Sequence, residues 1–79
     1  MLQTLKEILA KSNKKLDVEN INGETRIYEE IDIDSLELAE FIILIEEEFD
    51  ISIGDDEVDE CQNMNDLVSL VEQRLFDVR

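Results

Sequence analysis

Apolar side chains recur at helical intervals in three stretches of the chain. In the first, Leu2, Leu5, Ile8 and Leu9 share one side and Lys6, Glu7 and Lys11 the other, which predicts an amphipathic helix from about residue 2 to residue 13. In the second, Leu38, Phe41, Ile42, Ile45 and Phe49 follow the i, i+3, i+4, i+7, i+11 spacing of a buried face, so a helix is expected from near Ser35 to near Phe49. Asp34 stands at its N-cap position, and Glu37, three residues on, completes a capping-box pattern. In the third, Met64, Leu67, Val68, Val71 and Leu75 repeat the spacing after Asn63, a suitable N-cap, and Arg74 complements the negative end of the helix dipole.

The segments between carry their own pattern. From Ser12 to Ile33 the periodicity fades, and Asn20, Asn22 and Gly23 mark turns. Leu16, Val18, Ile21, Ile27, Tyr28 and Ile31 are too apolar for a solvated loop, so this stretch should lie on the core. Ile51 and Ile53 lead to Gly54, and the acidic run Asp55 to Glu60 has room for one or two helical turns. Pro is absent and Gly occurs only twice, which favours helices over a turn-rich β fold. The expected architecture is all-α: a small bundle of three main helices and one short one, with a long packed loop between the first two. Seventy-nine residues suit a single domain over 1–79.

Hydrophobic residues make up 43% of the chain, enough to build a core and too many for a disordered tail. Charge narrows the function. Asp and Glu number 22 against 7 Lys and Arg, a net charge of −15, which repels nucleic acid and anionic membranes and attracts proteins with basic patches. The charge is also unevenly spread: Lys6, Lys11, Lys14 and Lys15 lie near the start, whereas residues 29–60 contain no Lys or Arg. A lone Cys61 forbids an internal disulfide, and the longest apolar run, Phe41 to Ile45, is far too short to span a bilayer, so a cytoplasmic protein is expected, or one of an organelle matrix if a transit peptide has been removed; a monomer is expected as well. Cys61 itself reads as a small apolar residue rather than a nucleophile.

Elimination removes most chemistry. Without His there is no Ser-His or Cys-His nucleophile, no Gly-rich loop cradles phosphate, and no Cys or His cluster offers a zinc site. An EF-hand loop starting at Asp32 fails, because Glu37 and Ile43 occupy the positions that need Gly and Glu. No enzyme and no metal site are therefore expected. The second helix keeps a surplus: Leu36, Ala39 and Ile43 form a second apolar stripe among Glu37, Glu40, Glu47 and Glu48. Either the stripe tucks beneath the long loop, or it is a docking surface with an acidic rim. Ser35 lies beside it, where unpaired N–H groups and the positive dipole end favour an attached phosphate. A plain capping serine is the commoner role, yet Asp34 is better placed to cap.

These residues resemble the acyl carrier protein family, whose members attach 4′-phosphopantetheine to the serine of an Asp-Ser-Leu motif followed by an acidic helix. The match runs Glu29-Glu30-Ile31-Asp32-Ile33-Asp34-Ser35-Leu36-Glu37-Leu38 and continues in Glu46-Glu47-Glu48-Phe49-Asp50-Ile51. Glu24 to Tyr28 and Met64 to Val71 resemble the family's loop and final helix, so the similarity covers essentially the whole chain. Two positions depart from the pattern: Asp32 replaces a usual Gly, and Gly54 a usual Pro, which is expected to loosen entry to the short helix.

The resemblance implies carriage rather than catalysis. A phosphopantetheinyl transferase would place the arm on Ser35, with Asp34 serving recognition by that enzyme. Acyl-transferring or condensing enzymes with basic surfaces would dock on Leu36, Glu37, Ala39, Glu40, Ile43, Glu47 and Glu48. Between visits an acyl chain would slip between the helices, against Leu38, Phe41, Ile42, Ile45, Val68 and Val71. Fatty-acid, polyketide or related biosynthesis is the expected setting. The alternatives are a peptidyl or aminoacyl carrier of nonribosomal assembly, and an unmodified acidic adaptor with the same fold.

Overall fold

The computed structural model describes residues 1–77. Four helices follow one another: α1 (Leu2–Ser12), α2 (Ser35–Phe49), α3 (Asp55–Asp59) and α4 (Met64–Asp77). No strand is present among the described residues; a single antiparallel bridge joins Arg26 to Asn63. α1 packs against both α2 and α4. The apolar faces read from the sequence meet in one core, where Leu5, Leu9, Phe41, Ile45, Met64, Leu67 and Val71 are almost wholly excluded from water. Phe49, Val68 and Leu75 are only partly buried and lie at its margin.

The long segment between α1 and α2 is part of the fold. Ile21, Ile27 and Ile31 are buried, while Leu16, Val18 and Ile33 pack against the core from outside. Its polar residues turn the backbone locally. Asp17 accepts from the Glu19 N–H, and Asn22 accepts from that of Glu24. The Asn22 N–H in turn donates to the Thr25 hydroxyl.

This loop also completes α4. A helix leaves its first N–H groups without internal acceptors. Here the Met64 N–H donates to the Thr25 carbonyl at 3.1 Å and the Asn65 N–H to the Gly23 carbonyl at 2.8 Å. Asn63 supplies the next acceptor, its side chain taking the Asp66 N–H at 2.9 Å. A Cβ at Gly23 would meet the end of the Asn65 side chain, which would have to swing aside.

α2 ends where Asp50 turns into the left-handed region at φ 54, the one positive φ at a non-glycine residue among those described. The Ile51 N–H then bonds back to the Glu46 carbonyl. The Glu46 carboxylate accepts from the Ile53 N–H at 2.8 Å, which ties the following linker to the last turns of α2.

The expectation of a loosened entry at Gly54 is not what the structure shows. The Gly54 carbonyl accepts from the Glu57 and Val58 N–H groups, and its own N–H donates to the Glu57 carboxylate at 3.0 Å. α3 is fastened further by Arg74, which pairs with Glu57 and donates from Nε to the Ser52 carbonyl. Arg74, read in the sequence as a dipole complement, is thus a clip between α4, α3 and the linker.

Candidate functional site

Ser35 is the first residue of α2 and is exposed. The capping role falls to its neighbour: Asp34 Oδ1 accepts from the Glu37 N–H at 2.8 Å, and Glu37 Oε1 accepts from the Asp34 N–H at 3.0 Å. Because Asp34 holds the helix start, the Ser35 hydroxyl has no protein hydrogen-bond partner among the described residues. The Ser35 and Leu36 N–H groups are likewise without a protein acceptor there. An uncommitted hydroxyl beside two free donors at the positive end of a fifteen-residue helix is suited to carry a phosphate ester.

Glu37 does more than close the capping box. Its other oxygen, Oε2, accepts from Asn13 Nδ2 at 2.6 Å, so the end of α1 is fixed to the start of α2. Of the residues expected on the docking rim, Glu37 is thus the least open: its side chain is half-buried and both oxygens are engaged. The remaining rim stays outward. Leu36 is 69% exposed and Ile43 51%, and Ala39, Glu40, Glu47 and Glu48 are exposed as well. The stripe therefore does not tuck beneath the loop.

A groove of about 310 Å³ opens beside Ser35. Leu38, Ala39, Ile42, Ile43 and Glu46 form its α2 wall; Ile53, Asp55, Val58 and Asp59 form the opposite wall, with Tyr28 joining them from the loop. Two of the six residues expected to face an acyl chain, Leu38 and Ile42, line it. Phe41, Ile45 and Val71 do not, because their side chains are spent on the core where α1, α2 and α4 meet. Val68 packs half-buried against that core and also lies off the groove. The groove thus runs between α2 and α3, not between α2 and α4.

Tyr28 is expected from the sequence to pack with the core, whereas the residue is 52% exposed and lines the groove. Its hydroxyl donates to the Val58 carbonyl at 3.3 Å and lies 3.5 Å from Asp59 Oδ1. Partial burial, then the charge and hydrogen bond of Asp59, push the phenol above its ordinary value of 10.0. Cys61 is buried, and its thiol reaches the Glu57 carbonyl. Burial raises the thiol, with Asp66 and Glu60 adding to the shift, so the protonated, unreactive form is favoured.

Comparison with known proteins agrees with this geometry. A family model described as a phosphopantetheine attachment site matches residues 3–71. The chain is 31% identical over 70 residues to an acyl carrier protein of Desulforapulum autotrophicum, covering 89% of this chain and 91% of that one. It is 34% identical to an acyl carrier protein of Lactobacillus acidophilus, over 85% and 82% of the two chains. An acyl carrier protein homolog of Mycoplasmopsis pulmonis is 37% identical, over 89% and 94%. A match of this extent gives the chain a covalently bound 4′-phosphopantetheine and the part of a carrier rather than a catalyst. From helix order, site geometry and relatives alike, the chain belongs to the acyl carrier protein family.

Proposed function

We propose that the arm is attached to Ser35 and that the chain carries acyl intermediates for enzymes of fatty-acid or related acyl biosynthesis in the cytoplasm. The observation that carries this reading is the division of labour at the start of α2. Asp34 caps the helix, which leaves the Ser35 hydroxyl exposed, uncommitted and next to an apolar groove.

The residues fit the group. The phosphodiester would sit on Ser35 Oγ within reach of the free N–H groups of the first turn, whose dipole offsets its charge. Asp32 and Asp34 oppose that charge, and both are exposed, so water screens them. When bound, the group supplies a terminal thiol that holds acyl chains as thioesters. Leu38, Ala39, Ile42 and Val58 offer apolar surface to such a chain, at about 0.8 kcal/mol per CH₂ withdrawn from water. Leu36, Ala39 and Ile43 form the centre of a partner-docking strip, and Glu40, Glu47 and Glu48 its rim. A phosphopantetheinyl transferase and acyl-handling enzymes with basic surfaces are the partners this strip suits.

Incubation with coenzyme A and a broad-specificity transferase, followed by intact mass measurement, tests the attachment. One added phosphopantetheine is expected on the wild type and none on Ser35→Ala. Addition retained in Ser35→Ala would move the site to another serine, Ser12, Ser52 or Ser69.

A further inference from the structure

The groove beside Ser35 is spanned in an unusual way. Its α2 wall is one continuous helix from Ser35 to Glu46, about 16 Å at ~1.5 Å per residue. Its other wall is short: α3 has five residues, of which Val58 is buried. Tyr28 reaches this wall from a different part of the chain. Its ring lines the groove, and its hydroxyl is bonded to the carbonyl of Val58, itself a lining residue. One aromatic side chain therefore both occupies groove volume and ties the loop to the wall opposite α2. At about 310 Å³ the space is near the lower end of the range for ligand pockets, roughly 300–1,000 Å³, so the volume taken by one ring counts.

We propose that Tyr28, strapped to the Val58 carbonyl, is a specificity-determining residue that sets the length of acyl chain the groove shelters. This rests on the reading of Ser35 as the attachment site. An acyl chain entering beside Ser35 gains by each methylene it buries until it meets a wall that does not yield. The α2 wall is a packed helix and cannot recede. The α3 wall is held by the Gly54–Glu57 bond and the Arg74 clip, and Tyr28 joins it to the loop. Releasing the strap frees the ring, and removing the ring adds its volume to the groove. Besides the Val58 carbonyl, the Tyr28 hydroxyl meets only Asp59 Oδ1, at 3.5 Å, among the described residues, and the residue is half exposed, so its replacement leaves the core intact.

The test loads the wild type, Tyr28→Phe and Tyr28→Ala with acetyl, butyryl, hexanoyl, octanoyl and decanoyl phosphopantetheine from the corresponding coenzyme A thioesters. Loading at Ser35 is verified by mass. The melting temperature of each acylated form is then compared with that of its own unacylated form. In the wild type the stabilisation is expected to rise with chain length and level off. In Tyr28→Ala the levelling moves to longer chains by about two methylenes or more, and in Tyr28→Phe in the same direction by less. A general loss of stability would lower every melting temperature of a variant together and leave the levelling point where it was. Tyr28 is the only tyrosine in a chain without Trp. The wild type's intrinsic fluorescence is therefore expected to change with chain length up to the same levelling point. Full loading with identical length profiles in all three proteins would overturn the role of Tyr28 alone. Absence of added mass at Ser35 would overturn the attachment reading, and this proposal with it.

Discussion

Replacing Glu37 with Ala removes two hydrogen bonds to one carboxylate, from the Asp34 N–H and from Asn13 Nδ2. The variant is expected to lose about 1–2 kcal/mol of stability, read as a lower denaturation midpoint at unchanged m-value. Glu40→Ala, which breaks no protein hydrogen bond among the described residues, should stay within about 0.5 kcal/mol of the wild type. Half of this assignment was legible in the sequence. A carboxylate three residues after Asp34 signals the capping box from local spacing alone. That Asn13 would arrive at the same carboxylate was not legible, because it depends on how α1 lies against α2. Tyr28 was misplaced for a related reason: an aromatic in an apolar loop reads as core, and nothing in the spacing shows a hydroxyl finding a carbonyl in α3.

At the scale of elements, α2 presents the same residue type to two environments. Ile45 is fully buried in the core and Ile43 is half exposed on the strip proposed for docking. Ile45→Ala is expected to destabilise by about 2–5 kcal/mol, and Ile43→Ala by well under 1 kcal/mol, in parallel chemical denaturation. A large loss in Ile43→Ala would return the strip to the core. Periodicity fixed which face of α2 is buried, and the caps at Asp34 and Asn63 fixed where α2 and α4 begin. It did not fix which helix stands across from which. The side chains of Phe41, Ile45 and Val71 were expected to line a ligand space because they are apolar and inward, yet α1 fills that interior. The space instead opens toward α3, a helix of five residues too short to announce its partner by pattern.

The whole molecule measures 35 × 22 × 21 Å and carries a charge of −15. Screening acts over about 8 Å at physiological ionic strength, so carboxylates on one helix repel one another while the lysine-bearing start of the chain does little for distant ones. Glu40, Glu47 and Glu48 are exposed and lie on the helix that begins at Ser35. On the docking proposed above, a basic partner surface would be steered toward that helix before contact. Glu47→Lys is expected to lower the association rate with such a partner, a transferase being the simplest to assay by stopped flow. The deficit should shrink as salt rises. An unchanged rate at low salt would show that steering comes from elsewhere on the surface.

The bonds from Met64 and Asn65 to the carbonyls of Thr25 and Gly23 also have a consequence in time. Helices ordinarily fray from their ends, and terminal amides exchange with solvent quickly. Here the first turn of α4 can open only if the distant loop leaves with it, and Ile27, in that loop, is itself buried and bonded to the Gln62 carbonyl. The amide protons of Met64 and Asn65 should therefore exchange as slowly as those of the fully buried Leu67 and Val71, at the rate of global unfolding. Hydrogen exchange followed by NMR would reveal it. Fast exchange at Met64 would mean that the loop detaches on its own while the helices stay assembled.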